Sequence, residues 1–421
     1  WIDRHATKLG SLLMPWSYTV NSVRYYNAER KRNQKEILLP DATITNSRKE
    51  VVVIIIGESA SGKSTLMKVI ALMRYIYKML NIRAYLKNAN ISRSPFRLRF
   101  ERLINDNGLS SMFSASTYIK YAVSFGEDKY EITYSNKKLN AINNISKEHL
   151  VFYKGSFVSE NRNMIPTWAS KVAANRGATL GFYFHETYSD FDAATDAIKE
   201  QNLDYLGLRM QILRGSNKAK RYMIVPAGEE YQPVELKNAS SGIQTSAPLL
   251  SIVRYYSQEF SFKEAFRRSV LDYLYEGELP TKFAPQVELG AWDKYVHIHI
   301  EEPELSLYPD AQCRLVESMV NEAFIKVSQD RHVNVMMATH SPYIINYLNV
   351  LLRRWYFQNT MPTEVKMNPE DVAVYKIEDG RLIMLNSIDM KSGEMVINTL
   401  DLSRTMNDIY SEYIQLSNVT R

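Results

Sequence analysis

The longest uninterrupted hydrophobic run is Val51-Val-Val-Ile-Ile-Ile, six β-branched residues that suit a strand covered on both faces. The period then changes. Leu66, Val69, Ile70, Met73, Ile76, Tyr77 and Leu80 recur at three- and four-residue steps, which predicts a helix with one apolar face. Before this pair, Ile37-Leu38-Leu39 and Ile44 suggest short strands. After it, Ser94-Pro95 reads as the start of a helix with Phe96, Phe100, Leu103 and Ile104 on one face and Gly108 at its end. Tyr118 to Phe125 and Lys129 to Tyr134 alternate around Gly126-Glu127-Asp128, a hairpin pattern, and His149 to Val158 reads as another strand. Tyr188 to Leu213 reads as helical, with Phe191, Ile198, Leu203, Leu206, Met210 and Leu213 inward; it is too short for a coiled-coil arm. Short strands follow at Tyr222 to Val225 and Tyr231 to Leu236, then an apolar helix from Ile243 to Tyr256 with a bend at Pro248. Val296, Ile298 and Ile300 alternate with His297 and His299 as in a strand. Leu315, Val316, Met319, Val320, Ala323, Phe324 and Val327 mark an amphipathic helix. Val333 to Ala338 form one more strand, and Ser341-Pro342 open a last helix. Strands and helices alternate, so the class is α/β.

The first strand and helix bracket a glycine loop. Gly57, Gly62, Lys63 and Ser64 match the spacing G-x-x-x-x-G-K-[ST] within Gly57-Glu58-Ser59-Ala60-Ser61-Gly62-Lys63-Ser64-Thr65. Glycines let the backbone turn its N–H groups inward around a phosphate chain, and the helix start adds about half a positive charge. Lys63 is placed for the β- and γ-phosphates of ATP, and Ser64 for Mg²⁺. A glycine turn before an ordinary helix is the bland alternative, and the flanking elements argue against it.

Two later segments supply the groups that such a loop needs. Glu301-Glu302 closes the strand of alternating histidines: Glu301 is read as a Mg²⁺ ligand and Glu302 as the carboxylate that orients the attacking water. His340 closes the next strand and is read as a partner of the γ-phosphate or of that water. Ser240, Ser241 and Gly242 precede a helix, and could form a second anion site or simply cap it. One ATP rarely needs two such sites, so the second would serve nucleotide held by another subunit. The His297-x-His299 spacing also suits a metal, but structural strand histidines are commoner.

Composition adds limits. Of 421 residues, 52 are Lys or Arg and 46 Asp or Glu, a net charge of +6. That leaves room for a DNA or RNA partner without requiring one. The basic runs Arg30-Lys31-Arg32 with Lys35, and Arg93, Arg97, Arg99 and Arg102, read as solvated faces or as phosphate contacts. Cys313 is the single cysteine, which rules out an internal disulfide and fits the cytoplasm. No apolar run is long enough to span a membrane, and Leu12-Leu13-Met14 is too short for a signal peptide.

In this order the motifs resemble one family. Gly57–Thr65 is similar to a Walker A loop, Ser240–Gln244 to a shortened ABC signature, Ile300–Pro309 to a Walker B with D-loop, and Ala338–Tyr343 to a histidine switch. The forms Glu301-Glu302-Pro303-Glu304 and Ala338-Thr339-His340-Ser341-Pro342 resemble ABC-type AAA ATPases of prokaryotic antiphage defence systems. These include Septu-like and retron-associated ATPases and the ATPase domain of overcoming-lysogenization-defect nucleases, with SMC and recombination-repair heads as relatives. The resemblance implies an ABC-type P-loop NTPase head: a mixed β-sheet, an antiparallel β subdomain and a helical insertion. It implies an N-terminal lobe over 1–90, a hairpin and helical insertion over 91–236, and a C-terminal lobe over 237–421. It also implies ATP hydrolysis with Mg²⁺, at least a homodimer, and nucleotide-gated control of a separate effector such as a nuclease or toxin. Two other readings stay open: a DNA-repair-type ATPase acting on DNA, and an ATP-stabilised scaffold that sequesters a toxin or nuclease. The chain departs from the family in four places. Glu301 is the first Walker B acid where many ABC proteins have Asp. No glutamine marks a Q-loop, Asn161-Arg162 being the nearest candidates. Tyr308 stands where a histidine often precedes the proline. The segment after His340 is too short for a fused Toprim nuclease.

Overall fold

The computed structural model describes residues 17–25, 35–37, 44–45, 51–88, 99–115, 117–141, 144–170, 181–215, 219–226, 232–276, 292–360, 362 and 364–417. The chain opens with β1 (Ser17–Tyr25), β2 (Lys35–Ile37) and β3 (Ile44–Thr45), then β4 (Val51–Gly57) and the 26-residue helix α1 (Lys63–Asn88). After α2 (Phe100–Asp106) come β5 (Ile119–Phe125), β6 (Asp128–Ser135), β7 (Lys138–Ala141) and β8 (Val151–Val158). The middle of the chain holds α3 (Ile165–Ser170), α4 (Phe182–Ala197), β9 (Glu200–Leu203), β10 (Leu208–Arg214), β11 (Lys220–Pro226) and β12 (Val234–Glu235). Then follow α5 (Ser241–Arg254), α6 (Phe262–Glu276), β13 (Asp293–Glu301), α7 (Pro309–Val320), β14 (His332–Thr339) and α8 (Pro342–Tyr356). Four short strands, β15 (Val372–Glu378), β16 (Arg381–Met384), β17 (Asn386–Ile388) and β18 (Met395–Ile397), lead to α9 (Arg404–Ser417). The class is α/β with a mixed sheet.

The central sheet has the order β16-β15-β4-β14-β13-β8. Its pairs are parallel except for β15 with β16. Both faces are covered, which is why β4 carries no polar side chain. Val52, Ile54 and Ile56 pack into one core with α5, α7 and α8, while Val53 and Ile55 pack into another with α1. All seven residues expected on the inner face of α1 are buried. The hairpin forms as expected from β5 and β6, with Gly126 at φ +59° in the turn. It belongs to an antiparallel sheet ordered β2-β1-β5-β6-β7 that closes over the α1 side.

Two expectations need correction. The single helix expected over 188–213 is α4 followed by β9 and β10, two strands of a second antiparallel sheet, β12-β11-β10-β9. Leu203 and Met210 are buried as expected, but on strands, and Leu213 is half exposed. His297 and His299 of β13 are covered by α1 and β8, each no more than 1% exposed. The helix expected from Ser94 runs over Phe100–Asp106, with Phe100 and Ile104 buried. Phe96, Arg93, Arg97 and Arg30 to Arg32 lie outside the described residues.

Parallel strands end on one edge, and this positions the site. Ile56 pairs with Thr339, Ala338 with Glu301, and Ile300 with Val158. The loops after β4, β14, β13 and β8 therefore leave side by side, though their strands are far apart in sequence. The crevice beyond such strand ends is where open α/β sheets bind ligands. Among the described residues no helix is long and apolar enough to cross a membrane.

Candidate functional site

The loop after β4 is held by its glycines. A Cβ on Gly57 would lie 2.8 Å from Ser61 Oγ and 2.9 Å from the Ile377 carbonyl of β15, closer than a side chain tolerates. Gly62 sits at φ +100°, a region open in practice to glycine alone, and Ala60 accepts φ +61° beside it. Glu58, Ser59, Ala60 and Ser64 are exposed, and Ser61, Gly62 and Thr65 half-buried, at the N-terminus of α1. Lys63, only 6% exposed, folds back under the loop. Its Nζ donates to the carbonyls of Gly57 and Glu58, both at 2.8 Å, and lies 3.4 Å from Ser61 Oγ. Burial pushes its pKa down to about 8, against the pull of Glu302 and Glu304.

The acid pair and the histidine reach the same loop. His340 Nδ1 lies 3.5 Å from Lys63 Nζ, and its Nε2 3.8 Å from Glu302 Oε1. The His340 backbone N–H donates to Glu304 Oε1 at 2.6 Å, which ties the ends of β13 and β14 together. Glu302 adopts φ +43°, a conformation costly for a residue with a Cβ, and its N–H donates to the Ala338 carbonyl at 2.8 Å. The bend turns the Glu302 side chain out, 40% exposed, while Glu301 stays in at 2%.

Glu301 faces Ser64, Lys68 and Glu160. Lys68 Nζ is 3.5 Å away, and among the described residues neither Glu301 oxygen finds a hydrogen-bond partner of ordinary geometry. Burial first, then the Glu160 carboxyl, push its pKa up to about 8, with Lys68 and Ser64 opposing. The carboxyl of Glu160 is held down, chiefly by its contact with Glu301. Its Oε2 is also buried, with no hydrogen bond of ordinary geometry among the described residues. Two acids converging beside a hydroxyl, with orphaned oxygens, make an all-oxygen donor set that fits a hard divalent cation such as Mg²⁺. The glycine loop, the start of α1 and Lys63 likewise fit a nucleotide polyphosphate.

Glu160 is the residue that sequence reasoning missed. Asn161 and Arg162 are the nearest sequence candidates for a Q-loop, yet the Asn161 amide donates to Glu160 Oε1, at 3.2 Å. The available signal was position: Glu160 is the second residue beyond Val158, where β8 ends beside β13. Arg162, also unassigned, is fully buried and bonds the carbonyls of Ser159, Thr245, Glu301 and Glu302.

The serine–glycine turn sits apart from this cluster. Ser240 is the N-cap residue of α5, but its side chain makes no capping bond, and Ser240 and Ser241 are exposed. Gly242 is buried against the segment after the acid pair. A Cβ there would lie 2.8 Å from the Ser306 carbonyl and 2.9 Å from Leu307 Cδ2. Among the described residues, no hydrogen bond joins Ser240–Gly242 to Gly57–Thr65. Tyr308 is 80% exposed just before α7. The His297-x-His299 pair binds no metal-like cluster among the described residues: His299 Nδ1 donates to the Ser156 carbonyl at 3.0 Å, and its Nε2 accepts from Arg74 at 2.9 Å.

No family model and no curated protein matches this chain. Solved structures with a similar arrangement include a dimeric ATP-binding cassette in a post-hydrolysis state with ADP and Pi. It is 11% identical, with 87% of this chain and 96% of that one covered and a TM-score of 0.28. Another is cbiO1 of Clostridium perfringens, part of an ABC transporter complex, at 12% identity, 96% and 97% coverage, and TM-score 0.30. A third is a dimeric bacterial ABC transporter cassette at 10% identity, 87% and 96% coverage, and TM-score 0.28. TM-scores this low add nothing to the geometry, which stands by itself.

Proposed function

We propose that this chain binds ATP with Mg²⁺ and hydrolyses it as an ABC-type head that dimerises around nucleotide. The observation that carries this reading is the meeting of Lys63, His340 and Glu302 at one loop: His340 Nδ1 lies 3.5 Å from Lys63 Nζ, and its Nε2 3.8 Å from Glu302 Oε1. Lys63 and the N–H groups of Gly57–Thr65 would hold the phosphates. Ser64, Glu301 and Glu160 would hold Mg²⁺, which supplies charge neutralisation at the phosphates when bound. Glu302 is the exposed acid of the pair, so it is the one free to orient water and accept its proton. His340, between Lys63 and Glu302, would contact the terminal phosphate. Ser240 and Ser241, exposed and outside the capping role, would meet nucleotide held by a second copy.

At the cellular level we read the chain as a nucleotide-gated sensor that controls a separate effector, a nuclease or toxin, in antiphage defence. This rests on the resemblance of the Glu301–Glu304 and Ala338–Pro342 motifs. The two ATP-dependent alternatives, action on DNA and sequestration of a toxin, differ from it in turnover: only the first expects strong stimulation by DNA.

The test is the Glu302→Gln protein. Turnover is expected to fall about a thousandfold, with ATP still bound. Light scattering with ATP and Mg²⁺ is expected to show twice the monomer mass. Wild-type turnover would remove Glu302 from its role, and a mass indifferent to nucleotide would remove the shared site.

A further inference from the structure

Resting on the ATPase reading above, we propose that Arg162 is a positioning residue. It joins, within one chain, the turn carrying Ser240–Gly242 to the acid pair Glu301–Glu302, so that a shift at either is felt at the other.

The geometry is that of a hub. Arg162 is 0% exposed, and its guanidinium donates four bonds, all to backbone carbonyls. Nη1 reaches Ser159 at 3.1 Å and Glu301 at 2.7 Å, Nη2 reaches Glu302 at 2.5 Å, and Nε reaches Thr245 at 3.2 Å. Three separate pieces are thereby tied together: the exit from β8, the first turn of α5 and the end of β13. Burying a charge is tolerated only where its donors are satisfied, and here four carbonyls satisfy them. Burial pushes its pKa down to about 10, while Glu304, Glu302, Glu160 and Glu301 push it back up, so the group is charged at neutral pH. A planar fork can serve carbonyls in several directions at once; an ammonium at the end of a flexible stem does so poorly.

A second set of contacts runs parallel to the first. Thr245 Oγ1 donates to the carbonyls of Gly242 at 3.0 Å and Leu305 at 2.9 Å. Gly242 lies against the Ser306 carbonyl with no room for a Cβ. Glu302 and Ser306 both hold positive φ, +43° and +62°, so the segment between them is not in a relaxed conformation and depends on bonds from outside. Those bonds come from Arg162 and from the first turn of α5. If Ser240–Gly242 engages nucleotide on a second copy, the force acts on the backbone that aims Glu302.

The experiment compares wild type with Arg162→Lys and Arg162→Gln, using calorimetry for ATP affinity, steady-state kinetics and thermal melting. For Arg162→Lys the expected result is a kcat lowered about a hundredfold, with ATP affinity held within about threefold. A merely structural loss would lower affinity and kcat together. Unchanged kcat in the folded variant overturns the proposal, as does an equal fall in both quantities. If neither variant folds, backbone hydrogen exchange on wild type decides. Peptides spanning 242–245 and 301–305 are expected to gain protection together on adding ATP and Mg²⁺, and protection confined to the second overturns the link. Wild type that neither binds nor hydrolyses ATP would instead sink the ATPase reading before any Arg162 variant is compared.

Discussion

The strand-end cluster and the serine–glycine turn are built in opposite ways. Lys63 opens α1 just beyond β4, and Glu301 and Glu302 lie at the end of β13, strands whose side chains are buried on both faces; Lys63 and Glu301 are themselves nearly inaccessible. Ser240 and Ser241 stand exposed at a helix start, with hydroxyls outside the capping role. One region is pre-formed by its own chain. The other offers polar groups that the same chain does not use, which is what a shared site requires of its outer half. Gly242 is the exception that links them, since it alone of the three is packed, against Ser306 and Leu307.

The comparison can be broken most sharply at Lys63. If the strand-end cluster holds the phosphates, Lys63→Ala is expected to weaken ATP binding about a hundredfold by calorimetry, since a charge-assisted contact is lost. Undiminished affinity would overturn the loop assignment. The next contrast lies within the turn. Gly242→Ala places a methyl on a backbone carbonyl and should destabilise the monomer by about 1–3 kcal/mol in urea titration. Ser241→Ala, exposed, should leave stability within about 0.5 kcal/mol yet lower turnover at protein concentrations where dimers form. Equal effects on stability would erase the distinction between packed and offered residues.

The last contrast concerns the buried floor of the cluster. His299 is pushed down to about 3 by burial first and Arg74 second, with its hydrogen bond to Ser156 opposing, and His297 is lowered well below its ordinary value by burial first, then Arg74 and His299. Both stay neutral in the folded chain while the unfolded chain takes up protons below about pH 6.5. More protons are then bound unfolded than folded, so stability falls as pH drops from about 6.5 towards 3. The slope is at most about 1.4 kcal/mol per pH unit for each histidine. Denaturant midpoints at pH 7.5 and 5 measure it, and His299→Gln should flatten the dependence. A midpoint that does not move with pH would mean that the histidines are solvated.

Most of the cluster was legible beforehand because it is local. The glycine spacing, the β-branched run and the three-and-four pattern of α1 each lie within one element, where period and residue type decide the outcome. The acid pair and His340 were legible because each closes a hydrophobic strand. The stretch 188–213 was misread because Leu203, Leu206, Met210 and Leu213 satisfy a helical spacing; the strand assignment comes from pairing between β9, β10 and β11, which a single-segment pattern does not contain.

The sequence by itself determined the chemistry on offer: a phosphate loop, two acids, a histidine and a spare serine–glycine turn, each attached to a recognisable element. Only the tertiary structure decided which of them meet. Parallel pairing brings Gly57, Glu160, Glu301 and His340 to one edge of the sheet, and it buries both histidines of β13 under α1. It also gives Arg162 its partners, two of which lie 139 and 140 residues away. The physical reason is that these roles come from backbone carbonyls and from burial, neither of which carries a residue code. Any sequence presents the same carbonyls; the fold alone chooses where they point.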